Sequence, residues 1–281
     1  MQDRINGQLF FPSQPEIGYI TDNYIEFSPL DPNEKNVSLF YQFKTNHLSV
    51  HSLTLIPDGC FDILFCCSPT NPSAILWTSP FQRRFQPNFH YDCDYFGVRF
   101  FPEQSILKLN FSMKELLDQR IPLFDVLSLD SSIIEEIGLC ISFTERIQVF
   151  CKYLYDQRVD DNYDQRIVDY CIQKIYSSRG SISISKLEDM TGYSDRYIRR
   201  KFEAYIGFSP NEFSQIVKFQ RTLTSFLDTD SKDMIDIIQE NGYFDQSHFY
   251  RHFKKFMGVT PKQFKQSFKS VDYMKGKPLL I

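Results

Sequence analysis

Two stretches of this chain set arginine, lysine and glutamine at helical spacing behind a glycine. The first reads GYSDRYIRRKFEAYIGFSP from Gly192 to Pro210, and the second GYFDQSHFYRHFKKFMGVTP from Gly242 to Pro261. Overlaid, Ile198 falls on Phe249, Phe202 on Phe253, Arg200 on Arg251, Gly207 on Gly258 and Pro210 on Pro261. Residues four apart share one helix face, so Ile198/Phe202 and Phe249/Phe253 turn inward together. The outer face of the first copy then carries Arg196, Arg199, Arg200 and Glu203; that of the second carries Gln246, Ser247, Tyr250, Arg251 and Lys254. A guanidinium fork pairs with the two acceptors of guanine or clamps a phosphate, and glutamine matches adenine. Lys254 and Lys255 suit backbone phosphates, which position a protein without specifying sequence. This is the chemistry of double-stranded DNA recognition, not of bond making.

Basic helix faces are more often merely solvated. Two copies in register, in the basic part of an acidic protein, weigh against that reading here. Residues 1–178 carry a net charge of −9 and residues 179–281 a net of +5, within a total of −4. Only the second part is suited to meet a polyanion, and the acidic first part would oppose DNA by like charge.

The elements that must position these residues are helices joined by short turns. Each copy is a short helix, a glycine turn and a second helix, the helix-turn-helix layout whose second helix enters the major groove. Helices are expected over 185–191, 195–205, 211–227, 233–240, 245–257 and 261–268, with Pro210 at the first turn of the long joining helix. That helix would space the two reading helices about one turn of DNA (~34 Å) apart, so one chain could read an asymmetric site.

Upstream, HLSVHSLTLIPDG, CFDILFCC, AILWTSPF and YDCDYFGVRFF are short aromatic and β-branched runs split by turn residues, which predicts a mainly-β sheet or barrel to about residue 130. From 132 to 155, Ile133, Ile134, Ile137, Ile141, Ile147, Phe150, Cys151 and Leu154 recur near helical spacing. That stripe could pair with a second copy in a homodimer or pack on its own domain. A further helix over 163–176 would bury Ile167, Tyr170, Cys171 and Ile175 and stop at Arg179-Gly180. The expected fold class is multi-domain α+β: a sensing or dimerisation domain over 1–158, a polar linker at 159–164, a DNA-binding domain over 165–270 and a tail at 271–281.

The seven cysteines are odd in number and irregular in spacing, which argues for buried thiols over a disulfide framework. Cys93 between Asp92 and Asp94 reads as a poor nucleophile. His47, His51 and His90 with Asp58, Asp62, Asp92 and Asp94 lack a metal-binding cupin's spacing, so no metal and no cofactor is expected. His248 and His252 fit DNA contact or packing better than zinc. With no nucleophile elbow, phosphate loop or paired-carboxylate motif, no catalytic residue is assigned. No apolar run nears the ~20 residues of a membrane span, and the N-terminus lacks a signal-peptide pattern, so a cytoplasmic protein with no membrane partner is expected. The 28 Phe and 16 Tyr could line an apolar effector pocket or simply fill cores.

The repeat resembles the DNA-binding domain of AraC/XylS-type transcription regulators over residues ~163–270, most closely at GYFDQSHFYRHFKKFMGVTPKQFK. Departures are Phe244 where a capping serine is usual, and Glu188 and Thr222 where small alanines are usual, which implies looser packing there. PDGCFDILF (57–65), FGVRFFPEQ (96–104) and IPLFDV (121–126) are similar to a domain that precedes such units, with Glu103 replacing a frequent glycine. The resemblance implies a transcription regulator, more often an activator, with RNA polymerase as a partner and a small-molecule effector or protein partner at the N-terminal domain. The alternatives are a DNA-repair enzyme using this unit, which would need a zinc-held cysteine cluster, and an anti-regulator that binds only protein.

Overall fold

The computed structural model describes residue 10 and residues 12–29, 36–47, 53–85, 89–127, 132–155, 162–227 and 234–269. His51, the stretch 159–161 of the expected linker and the tail at 271–281 lie outside them.

The N-terminal domain is built on a six-stranded antiparallel sheet with the order β1-β2-β7-β4-β5-β8. Its strands are β1 (Asp22–Phe27), β2 (Val37–Lys44), β4 (Phe61–Cys66), β5 (Ser73–Thr78), β7 (Asp94–Phe100) and β8 (Arg120–Pro122). A small ladder pairs β3 (Thr54–Leu55) with β6 (Arg84–Phe85). The central strand β4 is buried at all six positions, which explains its unbroken apolar texture: it is covered on both faces. Phe61, Ile63 and Phe65 enter one core with the helices that follow the sheet, while Leu64 and Cys66 enter the other with Tyr41, Phe43 and Trp77.

On the face of the second core lies a buried charged pair. Asp62 and Arg99 are opposite each other in the β4–β7 register. Arg99 donates to both carboxylate oxygens at 2.9 and 3.0 Å, and the Tyr41 hydroxyl donates to Asp62 at 2.9 Å. Asp58 stands 3.9 Å from the same guanidinium. Gly97 makes room for this arrangement: a Cβ there would lie 2.1 Å from the Tyr41 ring. The Asp58 and Asp62 of the PDGCFD motif thus serve the sheet.

Short helices α1 (Ile17–Ile20), α2 (Met113–Leu116) and α3 (Leu123–Val126) decorate the sheet. The apolar stripe expected over 132–155 divides into α4 (Ser132–Leu139) and α5 (Phe143–Tyr155). Glu145 accepts the backbone N–H groups of Ile141 and Ser142, and Ser142 Oγ accepts that of Glu145, so a second helix starts afresh. Ile141, counted in the stripe, is 93 % exposed at this break, and Cys151 is exposed on α5. The rest of the stripe packs on its own domain: Ile133, Ile134, Ile137, Phe150 and Leu154 join the sheet core.

The C-terminal domain is all helical: α6 (Tyr163–Ser177), α7 (Ile184–Thr191), α8 (Asp195–Ile206), α9 (Pro210–Leu227), α10 (Met234–Glu240), α11 (Gln246–Met257) and α12 (Pro261–Lys269). Helix α6 begins inside the stretch read as a linker, because Asn162 caps it by accepting the Asp164 N–H at 3.0 Å. Tyr170, assigned to its buried stripe, is 40 % exposed; Ile172 and Tyr176 are buried with Ile167, Cys171 and Ile175 instead. No helix among the described residues is long and apolar enough to cross a membrane.

The two parts share a packed boundary. Phe10, Ile56 and Leu117 belong to the core of the helical domain, with Phe10 stacked on Tyr176 at 4.8 Å. Glu103 accepts a hydrogen bond from the Tyr176 hydroxyl at 2.9 Å, which gives that replacement of a frequent glycine a structural use.

Removing one partner of a buried, hydrogen-bonded ion pair leaves an uncompensated charge. Arg99→Ala or Asp62→Ala should therefore cost about 3–5 kcal/mol of N-terminal domain stability. Urea titration followed by the fluorescence of Trp77, the one tryptophan of the chain, reads this domain directly. A loss under about 1 kcal/mol would place the pair among solvated surface bridges and contradict its buried role.

Candidate nucleic-acid interface

Each helix-turn-helix unit is assembled by local capping. In the first, the Ser183 hydroxyl accepts the Lys186 N–H and starts α7, and Gly192 ends it with φ +74. Nothing lies within 4 Å of a Cβ at Gly192, so glycine is needed there for backbone conformation and not for space. Ser194 occupies the N-cap position of α8, and Glu188 of α7 accepts the Asp195 N–H at 2.6 Å. The residue standing where a small alanine was expected thus ties the two helices of the unit together. In the second unit, Asp245 caps α11 by accepting the His248 N–H at 2.6 Å, while Phe244 is 93 % exposed. Aspartate replaces the missing serine one position on.

The inward faces are nearly sealed. Ile198, Phe202 and Ile206 of α8 and Phe249, Phe253, Phe256 and Met257 of α11 are at most 3 % exposed. Thr222, the second expected alanine site, is fully buried: its hydroxyl donates to the Lys218 carbonyl and lies 3.1 Å from the Tyr243 hydroxyl.

The outward faces carry the predicted reading residues. Arg196, Arg199 and Arg200 of α8 and Gln246, Ser247, Arg251 and Lys254 of α11 are exposed, and Tyr250 is half-buried. Arg199 lies 3.4 Å from Asp195 one turn before it, an exposed contact of little energy that leaves the guanidinium available. Arg200 rests over the Tyr197 ring at 5.5 Å, and Arg251 Nε donates weakly to the Ser247 carbonyl at 3.4 Å.

Two of the charges read as outward are engaged by the protein itself. Lys255 donates to Gln215 of α9 at 2.6 Å, which holds it against the joining helix. Glu203 is paired with Lys114 of the N-terminal domain, also at 2.6 Å. Missed altogether was an aromatic cluster beside α8. Tyr193 stacks on Tyr197 at 4.7 Å, the Tyr163 and Tyr193 hydroxyls meet at 2.9 Å, and the Tyr197 hydroxyl donates to Asp164 at 2.8 Å. Lys201 pairs with the same Asp164 and holds its carboxyl below the usual range. The i, i+4 spacing of Tyr193 and Tyr197 was the available signal; the partner at 163 was not visible from spacing.

His248 and His252, four apart on α11, do not converge on a metal. His252 turns into the core, with Nδ1 2.8 Å from the Tyr243 hydroxyl, and no group of three or more His, Cys, Asp or Glu that could hold an ion occurs among the described residues. Burial, then the charges of Lys218, Lys255 and His248, hold the His252 pKa down at about 3.

This arrangement defines a double helix-turn-helix protein. Residues 187–267 match the family described as Helix-turn-helix domain, and residues 26–122 match a Domain of unknown function (DUF6597). Uncharacterized HTH-type transcriptional regulators of Staphylococcus aureus, strains COL and MSSA476, are each 29 % identical over 84 residues, which is 30 % of this chain. The match spans only 11 % of those relatives' length. Among solved structures, the C-terminal domain of AraT, a response regulator from Geobacillus stearothermophilus, is 24 % identical over 36 % of this chain and 84 % of its own, with a TM-score of 0.33. An apo point variant of ToxT from Vibrio cholerae is 11 % identical over 87 % of this chain and 98 % of its own, with a TM-score of 0.41. Residues 187–267 are thus similar to a helix-turn-helix domain family, and the matched part of the curated relatives falls in proteins described as HTH-type transcriptional regulators.

The depressed His252 pKa makes a pH-dependent prediction. Between its ordinary 6.5 and about 3 the unfolded chain binds a proton that the folded chain does not. The contribution is therefore fully present above 6.5 and is lost as pH falls through that window. The melting temperature of the C-terminal domain should drop between about pH 7 and about pH 5, and His252→Asn should lessen the drop. Equal drops in both proteins would show that His252 is solvated in the fold.

Proposed function

We propose that the chain is a sequence-specific, DNA-binding transcription regulator. One observation carries this reading: two capped helix-turn-helix units lie in register on one joining helix, each with a sealed apolar inner face and an exposed basic outer face. Arg196, Arg199 and Arg200 read one major groove, and Gln246, Ser247, Tyr250, Arg251 and Lys254 read the next. The boundary packed onto α8 and α9 supports modulation by an effector or partner of the N-terminal domain, with activation through RNA polymerase as the mode the family resemblance favours. Action as a monomer or homodimer in the cytoplasm is compatible with this reading.

The test is selection of genomic DNA fragments by the purified protein at near-physiological salt, followed by sequencing. A site with two motifs one helical turn apart is the expected result; retention that salt erases and that carries no motif would contradict base reading. On the selected site, Arg199→Ala and Arg251→Ala should each cost about 1–3 kcal/mol, with relaxed preference at one motif only. A uniform loss across all sequences would reassign the residue to phosphate contact.

A further inference from the structure

Outside the DNA-binding domain, two thiols lie closer together than any role assigned so far requires. Cys66 ends β4 and Cys93 immediately precedes β7, and their sulfurs are 3.1 Å apart. Cys66 is registered opposite Tyr95, so Cys93 is its diagonal neighbour on the same face of the sheet. A disulfide is about 2.05 Å long, so the pair needs to close by roughly 1 Å.

The backbone around both residues is already fixed. The Cys67 N–H donates to the Asp94 carbonyl at 2.9 Å, and the Thr45 N–H donates to the Cys93 carbonyl at 3.0 Å. The Thr45 hydroxyl accepts the Cys93 N–H at 3.0 Å and donates to the His90 carbonyl at 2.5 Å. The Tyr95 hydroxyl accepts the His90 N–H at 2.9 Å. Little conformational freedom remains to be lost on joining the sulfurs.

The pair is approached from solvent through Cys93, while Cys66 lies buried behind it. Cys93 lines a cavity of about 580 Å³ together with Cys67, His90, Asp94, Cys140 and Arg146. It sits where the ends of β4 and β7 face the turn between α4 and α5.

We propose that Cys66 and Cys93 form a modification site: an oxidisable dithiol that a small hydroperoxide converts to an intrachain disulfide and thiol reductants restore. In the first step the Cys66 thiolate attacks one peroxide oxygen. An S–O bond forms, the O–O bond breaks, and the departing oxygen takes a proton and leaves as water or an alcohol. In the second step the Cys93 sulfur attacks the Cys66 sulfur. The S–S bond forms, the S–O bond breaks, and the hydroxide leaves as water with the Cys93 proton. The two electrons given up by the sulfurs reduce the peroxide.

The electrostatics agree with this division of roles. Hydrogen bonds from Cys93 and Tyr95, with the charge of His90, bring Cys66 down to about 6, and the neighbouring anion pushes Cys93 up. Burial pushes Cys67 up to about 12 and Cys171 to about 11, so those thiols are poor nucleophiles. Asp94 adds to the upward push on Cys93, in line with the expectation that its flanking aspartates make it a poor nucleophile. Cys93 is the resolving thiol and Cys66 the attacking one. The site is independent of the DNA-binding reading.

The experiment exposes the reduced full chain to stoichiometric hydrogen peroxide, quenches with N-ethylmaleimide and maps the peptides. The expected product is a cross-linked Cys66–Cys93 peptide that forms at least about tenfold faster than Cys171 is modified and disappears with dithiothreitol. Recovery of both residues as alkylated thiols, or cross-links confined to Cys140 and Cys151, would overturn the proposal. Cys93→Ser should stop at a sulfenic acid on Cys66, trapped by dimedone, and Cys66→Ser should abolish the fast phase. Because a substitution inside the sheet can cost folding, the map of the unsubstituted chain decides.

Discussion

The structure depends on a single helix that is buried over more than half of its residues. Along α9, Phe213, Ile216, Val217, Phe219, Thr222, Leu223 and Phe226 are all buried. Both helix-turn-helix units hang from it: Phe202 of the first meets Phe213 at 5.5 Å, and Phe253 and Phe256 of the second meet Phe219 at 5.9 and 4.9 Å. A helix gripped by close-packed side chains from both units cannot slide or roll without opening voids, so the spacing of α8 and α11 is set by packing. Gly180 allows part of this: a Cβ at that position would sit 2.2 Å from the Ser214 carbonyl oxygen, so α6 could not approach the spine with any other residue.

The same helix carries the boundary with the N-terminal domain, and magnitudes decide what holds that boundary. Gln220 is fully buried at the middle of α9. Its amide donates to the Pro57 carbonyl at 2.7 Å and its oxygen accepts the Ser13 N–H at 2.9 Å. Left unpaired, such a group would cost about 1–3 kcal/mol, so the helix and the PDG turn are held in register. Around it, Gly59 lies against the Phe213 ring, Phe81 meets Phe208 edge-on at 5.6 Å, and the Arg83 N–H donates to the Phe256 carbonyl at 2.7 Å. The Lys114–Glu203 pair is the most visible cross-domain contact, yet Lys114 is 63 % exposed and the pair contributes little. Buried apolar surface and one satisfied glutamine do the holding.

The repeated motif was legible because it is local chemistry: glycine where φ is positive, a cap beside it, and aromatic residues four apart. The same logic named the outer-face arginines, whose exposure follows from the burial of Ile198 and Phe202. What could not be read depends on distant partners. Residue type at Ile141 keeps the helical stripe going, but Glu145 captures the backbone N–H groups before it and breaks the run. Glu188, Thr222 and Glu103 looked like departures from a pattern, and each has a hydrogen-bond partner seven or more residues away. Asp58 and Asp62 could equally have been metal ligands by type; only the β4–β7 register brings Arg99 onto them. The cysteines illustrate the same limit, since 66 and 93 are diagonal neighbours only once two strands have paired.

The charge asymmetry of the chain poses a last question: why an acidic domain packed against a basic one need not cancel it. Five N-terminal carboxylates are held by cations of their own domain: Arg99 faces Asp58 and Asp62, Arg83 pairs with Glu16, Arg84 with Asp118 and Lys44 with Asp92. The carboxylates that remain exposed include Glu135, Glu136 and Glu145 on α4 and α5, and fields from such groups are screened over about 8 Å at physiological salt. Glu203 is the acid that would matter, since it shares the outer face of α8 with Arg196, Arg199 and Arg200. Lys114 of the acidic domain neutralises it. At this charged contact with α8, the N-terminal domain therefore makes that face more positive, against the sign of its own net charge.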